Sequence, residues 1–140
     1  MKRRALILPL AVLTLGAMHA KAQDTSVDPA DDRVEAELRQ ELEQTQGQPI
    51  ETLQQAVDAL ELRNDLLDVL MQKEELTDGD LAIVRQLTED IENALAKVEE
   101  EVGTMRDRVQ EVRTSADSQG QEGIRESGRD YLDRVRTLMQ

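Results

Sequence analysis

The chain has 140 residues, 17 Lys and Arg against 30 Asp and Glu, a formal net charge of −13, no cysteine, one histidine (His19) and, among Phe, Tyr and Trp, only Tyr131. So acidic a surface repels nucleic-acid phosphate and anionic lipid, and one ring is no platform for stacking bases or sugars. Without cysteine there is no disulfide, no thiolate chemistry and no lipidated-cysteine anchor.

The first element is a targeting segment. Lys2, Arg3 and Arg4 precede an apolar run from Ala5 to about Gly16, too short for a folded membrane anchor. Ala20-Lys21-Ala22 then places small residues at the −3 and −1 positions of a cleavage site. This pattern predicts a signal peptide over 1–22, cleaved after about Ala22, and a periplasmic product with no membrane span. Cleavage removes four of the seventeen positive charges and none of the thirty acids, leaving −17 over 118 residues, enough for one small domain. It also removes His19. The mature chain then lacks the usual zinc, copper and haem ligands and the Ser/His and Cys/His nucleophile systems. Lys73 and Lys97 are its only lysines, and no phosphate-binding glycine loop accompanies them. The expectation is a non-enzyme with no catalytic residue, no cofactor and no metal.

Residues 23–48 read as a polar N-terminal arm. Within it, Val34, Leu38 and Leu42 put a narrow apolar stripe on a short helix over Asp31–Thr45. Gly47 and Pro49 in "QGQP" stop that helix, and Pro49 suits the first turn of the next. The helical domain proper is expected over 49–140, with helices at about 50–73, 78–115 and 121–139. In the first, Leu53, Val57, Leu60, Leu67 and Met71 mark one face and Leu62, Leu66 and Val69 a second, the pattern of a helix with more than one neighbour. Asn64 interrupts the first face and reads as a register-setting or edge residue rather than a ligand. Thr77, with Asp80 three residues on, forms a capping box for the second. Asp78-Gly79-Asp80 lacks the alternating ligands and distal glutamate of a calcium loop.

The second helix carries Val84, Leu87, Ile91, Ala94, Val98, Val102, Met105, Val109, Val112 and Ala116. Two steps of four in succession, Ala94 to Val98 to Val102, make a stutter that rotates the apolar face, with Gly103 beside it. The preceding helix, folding back from the Glu74–Thr77 turn, runs out near that point. The third helix, with Ile124, Gly128, Tyr131, Val135 and Leu138, returns along the other half and should bring Leu138 near Glu99. The stutter marks a handover between two antiparallel partners. Glu99, Glu100 and Glu101 point about 100° apart and read as a solvated face served by Lys97. Gly128 reads as a place of close helix approach and Tyr131 as packing. The fold class is all-α: an antiparallel bundle of three main helices with a long central one, plus a short N-terminal helix.

Glu51 to Ala56 (ETLQQA), Glu75-Leu76-Thr77, "LTEDIENALAKVEEEV", "EVRTSAD", "SGRDYL" and, upstream, "DDRVE" together resemble a family of small exported helical proteins of Gram-negative bacteria, classed only as a domain of unknown function. The resemblance covers most of Gly47–Leu138, and Ala36–Gln46 looks like an insertion. It implies an exported helical protein and no activity. Members often carry histidine where this chain has Arg85, Arg113 and Ser127.

Three functions compete. A non-enzymatic interaction or structural module of the cell envelope, bound to a protein partner or to itself, fits the two-faced helices. A periplasmic chaperone or envelope-stress sensor is the alternative, from Leu76-Thr77 and Leu87-Thr88, although the glutamine completing the usual Leu-Thr repeat is missing. A cytochrome-like or metal bundle has no ligands to use.

Overall fold

The computed structural model describes residues 28–140; the expected signal peptide lies outside them. Four helices, α1 (Pro29–Thr45), α2 (Leu53–Met71), α3 (Asp78–Asp117) and α4 (Gln121–Leu138), pack together, and no strand occurs among the described residues. The all-α expectation is met.

Local chemistry sets each helix boundary. The Asp28 carboxylate accepts from Ala30 N at 3.1 Å, with Pro29 at the first position, so α1 starts two residues before the expected Asp31. Its exit uses Gly47 at φ +76°, a left-handed conformation that suits glycine. In α2 the Thr52 hydroxyl accepts from Gln55 N, while Gln55 Oε1 accepts from Thr52 N, a complete capping box. That box begins the helix at Leu53 rather than about Ile50 and leaves Pro49 in the loop, not in the first turn. Its end at Met71 falls short of the expected Lys73. At α3 the expected Thr77–Asp80 box is present, with bonds of 2.9 and 3.1 Å. The helix then continues for 40 residues, about 60 Å, without interruption at Gly103. Its exit is a paired closure: Gly120 N donates to Ser115 O at 2.7 Å and Gln119 N to Ala116 O at 3.2 Å. Gln119 (φ 59°) occupies the left-handed position glycine usually takes.

Leu42 of α1, Leu66 and Leu70 of α2 and Leu87 of α3 form the core, ringed by Leu38, Leu67, Ile83, Val84 and Ile91. Burying each leucine stabilises the fold by about 1.5–3 kcal/mol. The inward face of α2 is Leu53, Ala56, Leu62, Arg63, Leu66 and Leu70. This corrects the expected seam at Met71, which is 72% exposed, while Asn64 is exposed, in keeping with an edge position. Because α2 is wedged between α1 and α3, Ala56, Arg63 and Leu70, which lie between its two apolar stripes, are buried together with Leu53 of the first stripe and Leu62 and Leu66 of the second.

Cross-helix pairs set the register. Arg63 reaches Asp90 at 3.1 Å and Lys73 reaches Asp80 at 3.0 Å, so α2 descends as α3 climbs. Along the rest of α3, Arg134 meets Glu101, Arg108 meets Asp130 at 2.7 Å, and Ser127 meets Glu111 at 2.7 Å. Gln140 Nε2 donates to Gln54 Oε1 at 3.3 Å, so the start of α2 and the end of α4 meet beside the middle of α3.

Candidate functional site

Two polar clusters and one apolar groove are the functional candidates. The first cluster gathers Glu35 and Arg39 of α1, Lys73 just beyond α2, and Asp80 in the first turn of α3. Asp80 Oδ1 accepts from Arg39 Nη2 at 2.5 Å and Lys73 Nζ at 3.0 Å, while Glu35 Oε1 accepts from Lys73 at 3.1 Å. Asp80 is 2% exposed. The Thr77 backbone N–H foremost, aided by Lys73, the Thr77 hydroxyl and Arg39, holds its carboxyl well below the usual carboxylate range against the opposing effect of burial. Burial opposes the charge on Lys73, but its bonds to Asp80 and Glu35 outweigh that and raise its pKa. The cluster clips α1 and the end of α2 to the start of α3. Asp78-Gly79-Asp80 is thus a cap and an ion-pair node.

The second cluster lies between α3 and α4. Glu101 is 9% exposed and pairs with Arg134 and, at 3.2 Å, with Lys97. Glu99 and Glu100 face solvent as expected, but Glu101 does not: α4 supplies the partner that makes its burial tolerable. Arg108 joins Asp130 to Glu111 (2.7 and 2.9 Å), and Ser127, itself buried, donates to Glu111 at 2.7 Å. Hydrogen bonds from Arg108 and then Arg134 depress Asp130; those from Ser127 and then Arg108 depress Glu111. All these groups are engaged with one another.

Gly128 is not the close approach that was expected. A Cβ there would meet Val112 Cγ2 at 3.8 Å, an ordinary contact, whereas at Gly123 it would lie 2.4 Å from Ser115 Oγ. The tight crossing is therefore at the α3–α4 turn. Half-buried Tyr131 lines the groove. Sequence reasoning missed Arg63, Ser127 and Glu101 as interior residues, since polar type signals surface.

The groove, of 760 Å³, runs between α3 and α4 and is lined by Val102, Met105, Val109, Tyr131, Val135 and Leu138, with Arg106 and Arg113 also on its wall. Val102 is 37% and Val109 42% exposed. It is an apolar concavity of the C-terminal hairpin, and every residue lining it comes from α3 or α4.

Among the described residues no group of three or more His, Cys, Asp or Glu side chains is arranged to hold a metal ion, and no helix is long and apolar enough to cross a membrane. No curated protein and no solved structure matches the chain. A family described as a family of unknown function, DUF6746, matches residues 1–140, the whole length, and the chain belongs to that family.

Proposed function

We propose that this is a non-enzymatic interaction module of the cell envelope, exported by its signal peptide, that self-associates through the α3–α4 groove. In this reading α2, α3 and α4 form an antiparallel bundle with α3 as its spine. The open groove carries the proposal. Two helices bury only their facing sides, and an apolar strip containing Val102 and Val109 is left half in water. A second copy presenting the same strip supplies the missing pair of helices; such a two-fold contact is self-complementary and closes a four-helix arrangement. The open space over Gly103, where a Cβ would meet nothing within 4 Å, leaves room for close approach. Net acidity opposes association, and salt relieves it.

The test is light scattering and native mass spectrometry on protein recovered from the periplasm. Expected is a dimer of chains beginning at Gln23, strengthened by salt and converted by Val109→Asp to a monomer of unchanged helicity. A monomer at both low and high salt overturns the reading. If that monomer suppresses aggregation of an unfolded client at equimolar ratio, the chaperone alternative replaces it.

A further inference from the structure

A second concavity, of 580 Å³, lies between the α1–α2 loop and the sides of α2 and α3. Its volume is that of a small-molecule site. Arg63 lines it, although the residue is only 6% exposed. Arg63 Nε donates to Asp90 Oδ2 at 3.1 Å, its one side-chain hydrogen bond among the described residues. Among the described residues, Nη1 and Nη2 make no bond to the protein. The guanidinium has five N–H donors. Four remain, all on Nη1 and Nη2, whose end-on pair can grip a carboxylate, and burial of the side chain limits its movement. Beyond the bond to Asp90, Nη1 and Nη2 remain available to an acceptor entering the concavity.

The other charges in the pocket decide which ligand. Glu41 of α1, Asp58 of α2 and Asp90 of α3 also line it, giving three carboxylates to one guanidinium. Glu41 and Asp58 are exposed, and Asp90 retains 28% side-chain exposure. This balance rejects phosphate and dicarboxylates. It favours a molecule with one carboxylate and two cationic groups.

We propose that this pocket binds a free basic amino acid of the lysine or ornithine class, its carboxylate on the Arg63 fork and its ammonium groups among Asp90, Asp58 and Glu41. The site is separate from the groove, and Val109→Asp leaves it intact. The probes are L-lysine, L-ornithine, L-glutamate and cadaverine (lysine without its carboxylate), titrated by calorimetry and by amide-resolved NMR on the full mature chain. Lysine and ornithine bind, with shifts centred on Arg63, Asp90 and Asn93, while cadaverine and glutamate bind at least about tenfold more weakly. Asp58→Asn, at an exposed position, weakens lysine several-fold with helicity unchanged, and Arg63→Lys abolishes the preference for lysine over cadaverine. If Arg63→Lys unfolds the chain, the Asp58→Asn and cadaverine results decide alone. Cadaverine binding as tightly as lysine reduces the effect to attraction by an acidic surface and overturns the proposal. So do shifts scattered over the molecule, or no binding at millimolar lysine.

Discussion

The two ends of α3 are held by different forces. Toward its N-terminus, α1 and α2 surround it with Leu42, Leu66, Leu70 and Leu87, each no more than 3% exposed, and one ion cluster clips the three helices at the rim. Toward its C-terminus it has α4 for a partner, and the deepest side chains there are Met105, Glu101 and Ser127. A helix with two neighbours can dry out a leucine; a helix with one must join polar groups across the seam and leave part of its apolar face wet. The same long helix therefore carries a core at one end and an open groove at the other.

Truncating the core is the sharpest way to break that contrast. Leu66→Ala should lower the unfolding free energy by about 3 kcal/mol, from lost burial plus a cavity, while Val109→Ala in the monomer should change it by less than about 0.5 kcal/mol. Urea titrations of the two variants measure both values; equal losses would mean that the groove is as well packed as the core.

The next effect concerns charge. Asp80→Ala removes both a helix cap and the buried anion shared by Arg39 and Lys73, and should cost about 2 kcal/mol. Because the folded state depresses the Asp80 pKa, that stability is fully present above the ordinary carboxylate value of about 3.9 and disappears as pH falls below it. Thermal melts from pH 6 to 3 should show Asp80→Ala losing less stability on acidification than the parent. Parallel curves would move the acid sensitivity to the Asp130–Glu111 end.

The smallest expected effect is a gain. Gln119→Gly relieves a left-handed non-glycine residue and should stabilise the C-terminal hairpin by about 0.5 kcal/mol. Slower amide exchange in α4, with α2 unchanged, would locate the gain in the weaker half.

The helices were legible because their signals are local. Thr77 and Asp80, Gly47, and the apolar comb of α3 act through neighbours within about four residues, and the α3 and α4 boundaries agree within two residues with expectation. The Thr52–Gln55 box was equally local, yet the more conspicuous Pro49 drew the boundary three residues early. At the candidate sites less was visible. Nothing adjacent to Arg63 foretells Asp90, twenty-seven residues away, and the three successive glutamates gave no reason to single out Glu101.

By itself, then, the amino-acid order determined that this chain is helical, where its turns lie and that its caps are built from Thr, Asp and Gly, since backbone hydrogen bonds and capping side chains close within one turn. The tertiary structure alone decided which polar residues enter the interior, which face of α2 is deepest and which apolar strip of α3 stays open. Those outcomes depend on how many helices surround a given position, and a side chain's burial is set by neighbours far away in sequence rather than by its own type.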